Sequence, residues 1–432
     1  MAILKKKKQK RVCVIGLDGV PFGLLQEFAR TGVMSTVGRI IDSGRLHKMK
    51  AGLPEISAVS WTDFMTGTNS GTHGIFGFTD FKPKSYDIRF PNFCDVKAPT
   101  IWDKLGEMGL RSIVINQPST YPARPLQGVL ISGFVAVDLA KAVWPASLKE
   151  TLEQSGYQID IDTQKSRESP NFLWQELIKT FMGRQKAFNL FWETEWDYFE
   201  FVLTGTDRLH HFLWNAVVNP EHPHHQNVLE YYRQIDRLIN KIYVSFRKTD
   251  GDEENIFFLS DHGFTGIIQE VYLNAWLEKE KFLKFVKPPP AELADISPKT
   301  VAFALDPSRI YLNYAGRFPN GSVKAGEAKA IRAEIVGRLE TLVYEGKKVV
   351  RKVFLGKDIY SGPLASRGPD LVVLAEPGFD LKGSVKRREI FGRTPGLQGM
   401  HTWDDAFFLA KKDFGPDLAI ADTTKIILDR YL

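Results

Sequence analysis

Cysteine is nearly absent: Cys13 and Cys94 are the only two in 432 residues. Two thiols exclude a disulfide framework and any Cys-based zinc motif, and a reducing cytoplasm is the simplest setting for the chain. Long apolar runs are missing as well, so no segment of about 18 residues is available to span a bilayer. A secretory leader is not expected either, because the apolar stretch at 12–17 is short and Asp18 interrupts it. Charge of one sign is scarce outside a single place. The formal net charge is +6, and Lys5, Lys6, Lys7, Lys8, Lys10 and Arg11 supply six positive charges. The remainder is close to neutral, which argues against specific nucleic-acid binding. The basic arm at residues 1–11 reads as a solvated, disordered tail, with weak contact to an anionic surface as the alternative. Beyond that arm there is no internal repeat or low-complexity block.

What is present alternates. Residues 12–17, 111–116, 128–134, 199–203 and 256–259 are short apolar runs of strand length. The first is nearly continuous, as in a strand buried on both faces. Residues 24–30 and 100–108 carry helical spacing, and 228–242 does so strongly, with Val228, Leu229, Tyr232, Ile235, Leu238, Ile239 and Ile242 apolar. The aromatics of 172–192 recur at helical spacing and read as packing rather than as a base-stacking platform. The expected fold is α/β, a mostly parallel central sheet with helices on both faces. From 271 the character changes. Pro288, Pro289 and Pro290 break the chain, 309–312 with Gly321 suggests a hairpin, 328–344 is helical, and 349–355 is a strand. Strands at 370–374 and 406–410 are expected to return to the main sheet. The division expected is a core of 12–264 and 366–432 with an inserted cap subdomain at 265–365.

Several apolar runs end in metal-ligand residues. Asp18 follows the first strand between Gly16 and Gly19, a position that otherwise suits a turn or N-cap Asp. Asp207 and His211 are four apart, so a helix starting after 199–203 places both on one face. His210 then points about 100° away and is the weaker ligand candidate. Asp261 and His262 are adjacent, and converge on one ion only in an irregular loop, which Gly263 permits. His401 sits in a Gly-rich approach to another apolar run. Singly, each of these patterns is common by chance. His73 is favoured as structural, and His222, His224 and His225 as members of a solvated loop. A hydroxyl nucleophile is available in residues 54–67 (PEISAVSWTDFMTG), where Ser57, Ser60 and Thr62 are all candidates on chemistry alone.

The run LPEISAVSWTDFMTGTNSGTHGIFGF resembles the nucleophile segment of the alkaline phosphatase superfamily. Within it, the likeness is to the type I phosphodiesterase/nucleotide pyrophosphatase group and its predicted phosphohydrolase/phosphomutase relatives. In that group the nucleophile lies nine positions before the Thr of a TG pair, followed by His-Gly-Ile. Here Ser57 stands nine before Thr66, and His73-Gly74-Ile75 follows. Asp18, the D-x-x-x-H pair Asp207 and His211, the D-H-G of Asp261 and His262, and the late G-x-H of His401 match in order. Asn116-Gln117-Pro118 and Thr120-Tyr121-Pro122 resemble the predicted phosphohydrolase branch.

The resemblance implies two divalent ions, zinc or alternatively manganese. Asp18, Ser57, Asp261 and His262 would hold one, and Asp207, His211 and His401 the other. It also implies attack by Ser57 through a phosphoseryl intermediate on a small phosphorylated substrate such as a nucleotide or phosphodiester. Nucleotide pyrophosphatases carry an Asn after the nucleophile for the phosphoryl oxygen; Asn69 lies nearest, with Asn116 or amides near Ala58 as alternatives. The segment lacks the Arg of a sulfatase motif. A phosphodiester or pyrophosphate substrate is favoured. A phosphomutase, phosphotransferase or phosphomonoesterase using the same site is the alternative, ahead of a non-catalytic binding protein. Arg309, Lys352 and Arg393 are candidate anion contacts, each better explained as a structural or surface charge.

Overall fold

The computed structural model describes residues 10–249, 252–287 and 289–432. The lysines at 5–8 and Pro288 lie outside them. Eight strands form the main sheet, in the order Arg45–Met49, Ala406–Ala410, Ile256–Leu259, Val12–Leu17, Tyr198–Leu203, Ser112–Gln117, Gly128–Ser132 and Val143–Trp144. The five from Ile256–Leu259 to Gly128–Ser132 are parallel, and the outer strands join them antiparallel.

Strand alternation explains the apolar runs. Cys13, Ile15 and Leu17 enter one core, shared with helices Pro170–Trp192 and His225–Thr249. Val12 and Val14 enter another, shared with Ser57–Thr66, Ile101–Glu107 and Ile420–Leu428. Both faces are covered, so the central strands are apolar at most positions, with Glu200, Asn116 and Gln117 as buried polar exceptions. The aromatics of the long helix do pack as core: Phe188 meets Phe199 edge to face at 5.6 Å between ring centroids. Among the described residues no helix is long and apolar enough to cross a membrane.

A second body has its own core, built from Val271 to Val385 around a sheet of Ala302–Leu305, Arg309–Leu312, Leu371–Ala375 and Val350–Leu355. This corrects two expectations. Leu371–Ala375 does not return to the main sheet but pairs with Arg309–Leu312 and Val350–Leu355, so the insertion runs well past 365. A buried strand reads the same whichever sheet it joins, and periodicity alone does not separate the two. Phe81 and Tyr86, from the hairpin Asp80–Phe81 and Ile88–Arg89, also complete that second core from a distant part of the chain.

One long-range contact fixes the helix Ser35–Ser43. The carboxylate of Asp236 accepts both Thr36 N and Val37 N at 3.0 Å, capping amides that the helix itself leaves unpaired. Asp236→Ala therefore costs about 1–3 kcal/mol by stranding two buried donors. Urea unfolding should show a lower midpoint with unchanged slope, and metal content should stay as in the parent protein.

Candidate metal centre

Three parallel strands deliver acids to one edge of the sheet. Asp18 follows Val12–Leu17, Asp261 and His262 follow Ile256–Leu259, and Asp207 lies in the first turn of Gly205–Val218, which follows Tyr198–Leu203. His211 comes one helical turn after Asp207 on the same face. Gly263–Gly266 pairs antiparallel with Gly399–Thr402, with Phe264 opposite His401, and this draws His401 onto His262. Their rings stack at 3.7 Å between centroids. Gly263 serves this close approach rather than an irregular turn, since a β-carbon there would overlap Thr402 Oγ1 and Asp405 Cβ. Gly19 is the residue that uses a left-handed conformation, with φ of 67°. Its amide donates to Asp261 Oδ1 at 3.1 Å.

Two groups of ligand atoms result: Asp18, Asp261 and His262, and Asp207, His211 and His401. In the first, His262 Nε2 lies 3.2 Å from Asp261 Oδ2, 3.6 Å from Asp18 Oδ1 and 3.1 Å from Ser57 Oγ. In the second, His211 Nε2 and His401 Nε2 are 3.0 Å apart, and Asp207 Oδ1 lies 3.4 and 3.3 Å from them. Donors at about 2.0 Å around a tetrahedral ion stand about 3.3 Å from one another. Both groups have that spacing. His262 Nε2 is also 3.9 Å from Asp207 Oδ1, so the groups adjoin.

The surroundings aim these atoms inward. Each carboxylate has one oxygen held and one left over. Trp61 Nε1 donates to Asp18 Oδ2 at 3.1 Å, Arg208 to Asp207 Oδ2 at 2.8 Å, and Gly19 N to Asp261 Oδ1. The remaining oxygens, Asp18 Oδ1, Asp207 Oδ1 and Asp261 Oδ2, are buried without a hydrogen-bond partner. The histidines behave alike. Nδ1 of His262 faces Gly263 O, Nδ1 of His211 faces Gly399 O, and Nδ1 of His401 faces Glu55 O, all at 3.0 Å. A carbonyl only accepts, so each Nδ1 carries the proton and each Nε2 presents a lone pair. Buried acceptors pointing at one another are costly unless a cation lies among them. The donor sets therefore fit divalent ions.

Protonation states agree. Burial lowers His211 and His262 to about 4 and lowers His401 too, leaving all three neutral at pH 7. Burial raises Asp18 well above the usual range, helped by the Asp261 and Asp207 charges, and pushes Asp261 up to about 7. Burial also raises Asp207, but His211, His401 and Arg208 outweigh it and hold the group well below the ordinary value.

The other candidates are placed elsewhere. Asn116 is fully buried, and its amide is spent within the fold: Nδ2 donates to Val202 O at 2.8 Å, and Oδ1 accepts from Arg184 at 3.3 Å and from Tyr157 at 3.4 Å. The expectation that it binds substrate is thereby corrected. A short polar side chain at a strand end reads alike whether it meets ligand or backbone. Asn69 caps the turn Ser70–His73 and bonds Ser361. His73 pairs with Asp63 at 2.7 Å in the interior, tying the turn to Ser57–Thr66. His210 joins Gly19 O to the Tyr232 hydroxyl. His222, His224 and His225 belong to neither ligand group; His225 Nδ1 faces Ala216 O at 2.8 Å. Arg309 is spent on Thr79 and on Asp306 O, Arg393 donates to Ile268 O, and Lys352 lies over Phe354. Sequence reasoning missed Arg208, which also grips Asp160 at 2.7 Å, and the role of Trp61. An Arg directly beside Asp207 at a buried helix start was the available signal.

A mostly parallel, two-faced sheet with this acid and histidine edge defines an α/β protein with a candidate metal-binding edge. Phosphonoacetate hydrolase from Sinorhizobium meliloti 1021, solved with phosphonoformate, superposes with a TM-score of 0.65 at 16% identity, covering 98% of this chain and 96% of that one. Murine ectonucleotide pyrophosphatase / phosphodiesterase 5, solved inactive with AMP, gives 0.56 at 14% identity, covering 98% and 95%. At these identities the likeness is one of fold. No curated protein sequence matches. The chain belongs to the type I phosphodiesterase / nucleotide pyrophosphatase family, whose model matches residues 12–404, and this makes it a phosphoric ester hydrolase.

Two outcomes follow from the geometry. Metal uptake displaces protons from the Asp18 and Asp261 pair but not from the neutral histidines. Below pH 7 protonated Asp261 competes with the ion, so affinity should rise from pH 5 to 8, by about tenfold per unit for each proton released. Calorimetric zinc titration in buffers of differing ionisation enthalpy reads this directly, and pH-independent uptake would contradict it. Trp61→Phe keeps an aromatic ring but removes the donor to Asp18 Oδ2. Metal binding should weaken by about 10–100-fold in equilibrium dialysis.

Proposed function

We propose that the protein is a two-metal hydrolase of phosphodiester or pyrophosphate bonds, acting on a small phosphorylated substrate through a phosphoseryl intermediate on Ser57. The observation that carries this reading is the placement of Ser57. Its Oγ lies 3.1 Å from His262 Nε2, at the first residue of the helix Ser57–Thr66 and beside the group of Asp18, Asp261 and His262.

Divalent ions among Asp18, Asp261 and His262 and among Asp207, His211 and His401 would supply positive charge to the Ser57 oxygen and to the leaving oxygen. The chain does the rest. The amides of Ser57 and Ala58, at the first two positions of the helix, lack acceptors within it and would be available to a phosphoryl oxygen. Trp61 and Gly19 hold the carboxylates in orientation, and Thr206 Oγ1 pins the backbone of Asp18 at 2.6 Å. The histidines are held with Nε2 inward, so none is free to act as a separate general base. Attack by Ser57 Oγ, its proton lost to solvent, forms a bond to phosphorus as the ester oxygen departs on the opposite side, toward His211 and His401, and takes a proton from water. Water then cleaves the phosphoseryl ester and regenerates the hydroxyl.

A diester is favoured over a monoester by what lies beside the nucleophile. A cavity of about 450 Å³, lined by Ala58, Ile75, Phe78, Tyr121, Phe134 and Val135 among others, opens next to the start of the helix. Its lining suits an apolar or aromatic substituent retained on the phosphoryl group. Ser57→Ala is expected to lower turnover of bis-p-nitrophenyl phosphate at least about a thousandfold, or about 4 kcal/mol of barrier, with metal content unchanged. Retained turnover in that variant removes Ser57 from the mechanism.

A further inference from the structure

A second cleft, of about 230 Å³, adjoins the ligand groups. His211 and His401 form its floor, and the inserted body forms its rim with residues 306–308 and the strand Phe379–Lys382. In-line displacement puts the departing oxygen opposite the attacking one. On the reading above the departing oxygen is directed at His211 and His401, and these two residues line this cleft.

Its charge is uneven. Glu55, Asp306 and Asp380 line it against a single ammonium, Lys382, and that ammonium is held by Asp380 at 2.6 Å. The three carboxylates do not converge as an ion site does: among the described residues the only groups close enough to hold a metal are the two already described. They are spread around a space of molecular size. Two of the lining groups are also unsatisfied. Glu55 Oε2 is buried without a partner, and Ser308 Oγ is likewise unpaired on a residue only 2% exposed. Unpaired acceptors in such a place call for a group rich in N–H donors, and an ammonium offers three. Phe78 and Phe379 add aromatic surface to the same wall, which also favours a cation.

Resting on the hydrolase reading above, we propose that this cleft receives the departing alcohol and selects one that bears an ammonium group, with Glu55, Asp380 and Ser308 as the residues that read it. Ser57 Oγ loses its proton to solvent as it bonds to phosphorus, the bond to the amino alcohol breaks, the departing oxygen takes a proton from water, and the other ester substituent stays on phosphorus. An anionic leaving group meets like charges in the same space and is disfavoured.

The test uses the metal-loaded enzyme and three benzyl phosphodiesters, of 3-aminopropanol, butan-1-ol and 3-hydroxypropionate, with release of each alcohol followed. The benzyl group occupies the apolar cavity in all three. The expected order of kcat/KM is amino, then butyl, then carboxylate, with steps of about tenfold or more. Asp380→Asn and, separately, Glu55→Gln should narrow the ratio of amino to butyl ester about tenfold. The ratio is read within one variant, so a loss of folded enzyme does not mimic the effect. A flat or reversed order in the parent enzyme overturns the inference. If bis-p-nitrophenyl phosphate is then still turned over in a Ser57-dependent way, the hydrolase reading stands and charge selection alone has failed. Absence of Ser57-dependent turnover of every ester overturns both.

Discussion

Three carboxylates and three imidazoles share one buried edge, and each turns one acceptor atom inward toward the others. Every other feature of the core serves that crowd. Gathering like-natured acceptors out of water is unfavourable, and it persists only because each group is gripped from behind: Asp18 by Trp61, Asp207 by Arg208, Asp261 by the Gly19 amide, and each histidine by a carbonyl. The crowding costs the fold something by itself, and cations at the centre would offset it. The site is thus held in readiness by the protein rather than created by the ion.

The sheet makes this arrangement possible. Parallel strands end together, so Asp18, Asp207 and Asp261 arrive at one edge although they are far apart in sequence. Trp61 links the two layers: it packs in the core beneath the sheet while its ring nitrogen holds a ligand. Packing of the nucleophile helix and orientation of the acid are consequently one problem. A change that shifts Ser57–Thr66 against the sheet moves Ser57 Oγ and the Asp18 carboxylate together.

What was legible in the sequence follows from this. Apolar runs that stop at Asp or Asp-His announce strand ends, and the two-faced sheet and its helices could be read from them, whereas the two sets of candidate ligands came from the family resemblance; their members lie close together in the fold. Grips from behind could not be read. Trp61 and Arg208 were not singled out at all, and Asn116 was expected to bind substrate when Arg184, Tyr157 and Val202 already use it. Whereas Arg208 stands directly beside Asp207, the pairings of Trp61 with Asp18 and of Arg184 and Tyr157 with Asn116 join residues distant in the chain, and no local spacing records them. The same holds for Leu371–Ala375, whose apolar pattern suits either sheet. Gly263 was singled out correctly as special, but for conformational freedom. The actual demand is room, set by Thr402 and Asp405 much further along the chain.

The division between core and insertion has a functional consequence. All ligand atoms and Ser57 come from the core, whereas the rim of the leaving-group cleft at 306–308 and Phe379–Lys382 comes from the insertion. The chemistry at phosphorus tolerates little displacement, and it is built on strand ends. Selection of the alcohol tolerates more, because charge acts over several ångströms. An insertion with its own core can therefore alter rim charges without disturbing the ligand edge. Glu55 takes part in both functions, because its carbonyl orients His401 while its carboxylate faces the cleft. Exchange of that side chain should change what is selected, since the backbone contact that positions the histidine does not depend on it.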